Sequence, residues 1–243
     1  MLKAIYATCE LSRAENQNDE LLKCFKENQQ ESNLLRDKNI VQLTVSITSE
    51  GVIRKQVRGS KLIEYFLEIP DEIKSPAVYI PVKDMLTHSA GFLAMANKYR
   101  DFPFDKTLTD IVIKASQWKV KQPPKLVLAI LPILEEMMDG VVVFENDEFY
   151  IKKNNGQMIL FELEAEGLKK MGLMWQLLMT DNLNEDSILI WDEPKANLNP
   201  KLLPKIVECL LELSRHSVQI FLSTHNYIFA KYFDVEKKDD FHR

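Results

Sequence analysis

The stretch from Ser187 to Pro200, "SILIWDEPKANLNP", sets two adjacent carboxylates and a proline directly behind an apolar run. A buried strand seldom ends this way unless the charge is used, because a carboxylate taken out of water must be paired or coordinated. A second apolar run, "VQIFLST" from Val218, also ends on polar residues, Ser223-Thr224-His225-Asn226. Between the two, Leu203, Ile206, Val207, Leu210 and Leu211 fall at helical spacing. Ahead of them Leu168, Met171, Met174, Trp175 and Leu178 do the same. Helix alternating with strand predicts a parallel sheet joined by helical crossovers.

Towards the N-terminus the pattern changes. A hairpin is predicted at "VVVFENDEFYIKK", turning at Asn146-Asp147, followed by a strand "QMILFEL". From Lys83 to Gly140 the spacing is helical, in "KDMLTHSAGFLAMANKY" and "PKLVLAILPILEEMMDG", with Gly140 placed to close the second helix. Before that the period is two: "IVQLTVSIT", a turn at Glu50-Gly51, "VIRKQV" and "KLIEYFLEI". A short run "AVYIPV" meets Pro81 as an edge or terminal strand would. Residues 1–37 read as helical, and Glu15 to Asn33 as a solvated face or loop. The chain therefore divides into a partial N-terminal lobe with antiparallel strands (1–82), a helical insertion (83–140) and a hairpin followed by a parallel βαβ lobe (141–243). The fold class is α/β.

Composition excludes several classes. With 243 residues, 46% hydrophobic and 28% charged, the chain can bury a substantial core. No apolar run reaches membrane-span length and no signal-peptide segment opens it, so a cytoplasmic protein without membrane contact is expected. A net charge of −5 gives no global case for DNA, though a local basic patch stays open. Cys9, Cys24 and Cys209 are too far apart for a CxxC or a Cys/His metal motif and read as reduced thiols.

In open α/β sheets, ligands sit beyond the carboxyl ends of the parallel strands. An apolar strand ending in Asp-Glu suits nucleotide hydrolysis. The first carboxylate holds Mg²⁺ through water, and the second, one residue on, orients and deprotonates the attacking water. A His on the neighbouring strand end can contact the γ-phosphate. Each residue also has a plainer reading: acids suit a helix N-terminus, and His is common in loops.

Taken together, Glu164 to Asp234 closely resembles the C-terminal lobe of ABC-type ATPase heads, nearest to the AAA-family ATP-binding proteins related to the SMC, RecF and OLD groups. Residues from about Asn39 to Gly140, including "VYIPVKDMLTHSAGFL", resemble the same branch more loosely. The resemblance implies a P-loop NTPase-like fold and an ATPase using ATP and Mg²⁺. It makes Asp192 the Walker B metal aspartate, Glu193 the catalytic base and His225 the switch histidine. Ala196 to Pro200 become the D-loop, with Asn199 facing a partner subunit. The signature turn, which grips ATP bound by the opposite subunit, falls on Ala165-Glu166-Gly167-Leu168-Lys169-Lys170, where Gly167 and the lysines Lys169 and Lys170 fit the pattern. There Ala165 replaces a serine and Glu166 puts an acid near the phosphate. A homodimer through the D-loop and signature surfaces follows, with a nuclease or other effector as a further partner.

None of the seven glycines fits G-x-x-x-x-G-K-[ST]; "RGSK" at Arg58 to Lys61 comes nearest and lacks the first glycine and the order. The opening "MLKAIYA" resembles the helix that follows the P-loop in this family, and "VEKKDDFHR" resembles a head stopping before its last strands. A head clipped at both ends is therefore expected. Two functions remain open: part of an ATP-hydrolysing head, or a non-catalytic interaction module presenting the same surfaces to a partner. A metal-dependent nuclease fits less well, since no second acidic cluster stands at a strand end.

Overall fold

The computed structural model describes residues 2–11, 42–44, 54–56, 75–99 and 104–240. The polar stretch from Glu15 to Asn33, the strand expected at "KLIEYFLEI", the "RGSK" turn and Cys24 lie outside them. The elements in chain order are α1 (Leu2–Leu11), β1 (Gln42–Thr44), β2 (Arg54–Gln56), β3 (Ala77–Ile80), α2 (Phe92–Lys98), α3 (Lys106–Ala115) and α4 (Lys125–Met138). There follow β4 (Gly140–Glu145), β5 (Glu148–Lys153), β6 (Met158–Leu160), α5 (Glu166–Met179), β7 (Ile188–Asp192), α6 (Leu203–Arg215), β8 (Gln219–Ser223) and α7 (Tyr227–Asp240).

The strand ending in the acid pair is the middle of a parallel sheet ordered β3-β7-β8 among the described residues. Side chains alternate across it with the period of two that a strand imposes. Ala77, Tyr79, Ile188 and Ile190 pack against Leu2, Tyr6 and Cys9 of α1. Val78, Ile80, Leu189 and Trp191 face the larger core beneath the other helices. Cover on both faces explains why "SILIW" is an unbroken apolar run and not an alternating one. Each fully buried large side chain contributes about 1.5–3 kcal/mol relative to exposure. The predicted crossovers are present: α6 links β7 to β8, and the two strands run parallel.

The hairpin turns where expected. Asn146 and Asp147 both adopt left-handed backbone, φ 53° and 63°, as a two-residue turn between β4 and β5 requires. β6 completes an antiparallel three-stranded sheet, and β1 pairs antiparallel with β2 on either side of the predicted Glu50-Gly51 turn.

Three readings change. Gly140 does not close α4; Asp139 does, at φ 50°, with its amide donating to the carbonyls of Glu135 and Glu136. Aspartate tolerates the left-handed region. Gly140 instead opens β4, where a Cβ would lie 2.2 Å from the Lys152 carbonyl oxygen. The helical run from Lys83 to Tyr99 is broken, because Gly91 at φ 67° separates a 3₁₀ turn, Leu86–His88, from α2. Finally, α5 is buried almost all round and not on one face: Gly167 and every residue from Lys169 to Leu178 are inside. It lies against α3, α4 and β4, so polar members need internal partners. Trp175 donates to Glu135 at 2.9 Å and Gln176 to the Ala115 carbonyl at 2.8 Å.

Among the described residues, no helix is long and apolar enough to cross a membrane. Cys9 and Cys209 are buried, and burial pushes the Cys209 thiol up to about 12.

Candidate active site at the ends of β7 and β8

Parallel register puts Asp192 directly opposite Ser223, so both polar strand ends emerge side by side. The four residues after β8's apolar run then divide their work. Ser223 Oγ donates to Asp192 Oδ1. Thr224 Oγ1 lies 3.4 Å from Glu193 Oε2. The His225 amide donates to Glu193 Oε1 at 2.9 Å, and its ring Nδ1 lies 2.7 Å from the same oxygen. Asn226 Oδ1 accepts from the Phe229 amide at 2.7 Å, capping α7.

Glu193 and His225 thus meet as a pair. An ionised carboxylate only accepts, so the shared proton sits on Nδ1 and leaves Nε2 at the outer edge of the ring. The His225 side chain is 84% exposed while that of Glu193 is 16% exposed, so the ring stands as the outward end of the pair. Glu193 Oε2 keeps capacity for a further donor such as water. Glu193 also has left-handed backbone, φ 48°, which costs a non-glycine residue about 1–3 kcal/mol and persists only where neighbours hold it. Its amide donates to the Ser223 carbonyl at 3.0 Å.

Asp192 is half-buried. Besides Ser223 it accepts from the Tyr79 hydroxyl at 3.4 Å, and burial, with the aspartate second, raises the Tyr79 phenol well above its ordinary value. Both donors are neutral hydroxyls, and the carboxylate keeps spare lone pairs. No group of three or more His, Cys, Asp or Glu suited to a metal occurs among the described residues. Mg²⁺ binds through one or two carboxylates and completes its shell with water and phosphate oxygens, so a single aspartate of this kind fits it.

The signature candidates gather at the start of α5. Ala165 is the N-cap residue and supplies no side-chain bond. Glu166 is exposed and its carboxylate takes the Lys169 ammonium at 2.7 Å; Lys169 itself is buried. A Cβ on Gly167 would come within 2.9 Å of the Asn197 carbonyl oxygen and of Leu198, so this glycine lets α5 press on the loop after the acid pair. Asn199, on that loop, is exposed, and its side chain accepts from the Lys201 amide at 3.0 Å to cap a 3₁₀ turn.

Sequence reasoning missed Ser223, Thr224 and Tyr79 as partners of the acids, since only the parallel register reveals them. It placed Lys170 in the signature stretch but not at the acids, whereas the ammonium donates to the Glu193 carbonyl at 3.0 Å.

Residues 32–230 match the family described as "AAA domain, putative AbiEii toxin, Type IV TA system". Comparison with curated proteins finds no match. Among solved structures, one similar chain belongs to a dimeric ATP-binding cassette in a post-hydrolysis state bound to ADP and Pi. The two share 14% identity over 65% of this chain, with a TM-score of 0.30. The match spans 56% of that structure's chain.

Proposed function

The chain belongs to this AAA-domain family, and on that premise we propose that it is an ATP-binding, ATP-hydrolysing head of the ABC type. The observation that supports this best is the convergence of Asp192, Glu193 and His225 at adjacent parallel strand ends, with the two acids in different surroundings. Glu193 is the base. Its Oε1 is fixed by His225, and Oε2 accepts the proton of the attacking water. Asp192, with lone pairs left beyond its two hydroxyl donors, would hold Mg²⁺, which when bound neutralises phosphate charge. His225 presents Nε2 to the γ-phosphate. The phosphate-wrapping loop is assigned to no residue of this sequence, and the head works as a dimer closing on two ATPs through Ala196 to Pro200 and the start of α5. The place of work is the cytoplasm, beside a nuclease or other effector.

The test is Glu193→Gln. Hydrolysis by the protein should fall about 10²–10⁴-fold, the range for losing a general base, with ATP binding retained. Turnover at the original rate would remove Glu193 from the mechanism.

A second reading, a non-catalytic interaction module, is favoured by the start of α5. There Lys169, Gly167 and the Asn199 side-chain oxygen are all engaged within the chain. Calorimetry with Mg-ATP separates the two readings, since a module of this kind takes up no stoichiometric nucleotide of its own.

A further inference from the structure

Lys170 has no part in the chemistry above, yet it is a buried cation 3.0 Å from the backbone of the proposed base. A lysine 5% exposed is costly to place, and a methionine would fill the same space without desolvating a charge. Burial lowers its ammonium from the ordinary range, while Glu193, Glu166 and Asp192 act in the opposite sense. Among the described residues its directed bond goes to the Glu193 carbonyl.

That carbonyl belongs to the residue with strained, left-handed backbone. Three bonds hold Glu193's peptide groups. Its amide is tied to Ser223 of β8, and its carbonyl accepts from the Ala196 amide at 3.0 Å and from Lys170. The Ala196 bond closes a local turn and moves with it. Lys170 comes from a different element, α5, and references the turn to the core. We propose that Lys170 is a positioning residue for Glu193: by fixing its carbonyl it sets the direction in which the carboxylate leaves the strand, and hence its contact with His225. The same first turns of α5 press on Asn197 and Leu198 through Gly167, so one rigid helix sets both the base and the loop beside it.

This inference rests on the reading of Glu193 as the base for its catalytic consequence, but not for its structural one. The experiment uses the full chain with Lys170→Met and Lys170→Arg and reads two quantities. The first is the ¹⁵N shifts of the His225 ring, which report the Nδ1–H bond to Glu193 without any nucleotide. Lys170→Met should shift them to those of a solvated imidazole, and Lys170→Arg should restore them. The second is Mg-ATP hydrolysis, in which Lys170→Met should lower kcat about 10- to 100-fold at unchanged KM, the effect of a base misplaced by about 1 Å. Unchanged ring shifts in Lys170→Met overturn the proposal, as does unchanged kcat where Glu193→Gln abolishes turnover. Normal turnover in Glu193→Gln instead sinks the base assignment and leaves the ring shifts to decide on Lys170. Should Lys170→Met not fold, Lys170→Leu, which likewise removes the donor, replaces it under the same criteria.

Discussion

The carboxyl end of β7 and the amino end of α5 both carry residues that look functional in the sequence, and the fold treats them oppositely. At β7 the polar side chains are turned towards one another across two strands. Ser223, Thr224 and His225 all address Asp192 or Glu193, and the His225 ring remains out in solvent. At α5 the same kinds of residue are engaged in local folding: a salt bridge one helical turn long and a glycine against a loop backbone. Strand ends of a parallel sheet are free of ladder bonds and face one crevice, so they can hold a ligand. A buried helix must first satisfy its own groups. Among the described residues, Lys170 carries the hydrogen bond that joins the two regions.

The largest test of this contrast separates function from stability. Glu193→Gln, with its loss of 10²-fold or more in hydrolysis, should barely move the melting temperature, since Gln can still accept from the His225 amide. Gly167→Ala should do the reverse. A Cβ lying 2.9 Å from the Asn197 oxygen and 3.0 Å from the Leu198 Cα meets backbone, which yields less easily than a side chain. Overpacking of this kind costs about 1–3 kcal/mol, offset by up to about 1 kcal/mol of helix propensity. Thermal or urea unfolding should show the difference. Unchanged stability with lost nucleotide binding would assign Gly167 to the ligand instead and erase the contrast.

What the sequence showed and what it hid follow the same division. The parallel lobe was legible because "SILIW" is a strand buried on both faces and "VQIFL" a half-buried one, with a helix of clear period between them. The hairpin was legible because only a few residues accept the φ values of Asn146 and Asp147. The acid pair and His225 stood out because each ended an apolar run. Their pairing did not, since Ser223 faces Asp192 only through parallel register across 31 residues of sequence. Tyr79 looked like part of an apolar strand, and Lys170 like one of two lysines of the signature turn. The α4 cap was misplaced because a glycine is the usual left-handed residue there, whereas Asp139 takes that role and Gly140 is consumed by its close approach to Lys152.

A smaller effect comes from comparing Lys170 with Lys119, a half-buried lysine with no carboxylate partner. Lys119 donates to the Val142 carbonyl at 2.6 Å and lies 4.4 Å from the Trp175 ring centroid. Burial lowers its ammonium from 10.5 to about 8. Between those values the unfolded chain keeps a proton that the folded one has lost, so this group's contribution to stability rises with pH. Its destabilising part is complete below about pH 8 and relieved above about 10.5. Urea unfolding of wild type and Lys119→Met at pH 7, 9 and 10.5 should show wild type gaining on the variant as pH rises. A constant difference would mean the ammonium is as well solvated as that of an exposed lysine.

The smallest effect lies at the other end of β7 itself. Ser187 is fully buried, and its hydroxyl has no hydrogen-bond partner among the described residues, although its amide and carbonyl are bonded to Asn184 and Gln219. A buried hydroxyl without a partner is a cost and not a contribution, whereas Ser223, at the level of the opposite end, uses its own on Asp192. Ser187→Ala should therefore be neutral or stabilising by up to about 1 kcal/mol in chemical denaturation, against the usual loss on deleting a hydrogen-bonded serine. Ser223→Ala, by the same measurement, should destabilise by about 0.5–1.5 kcal/mol, because it removes a made bond beside a charge. If Ser187→Ala instead destabilises by as much, the hydroxyl is satisfied by a buried water, and both ends of β7 are polar by design.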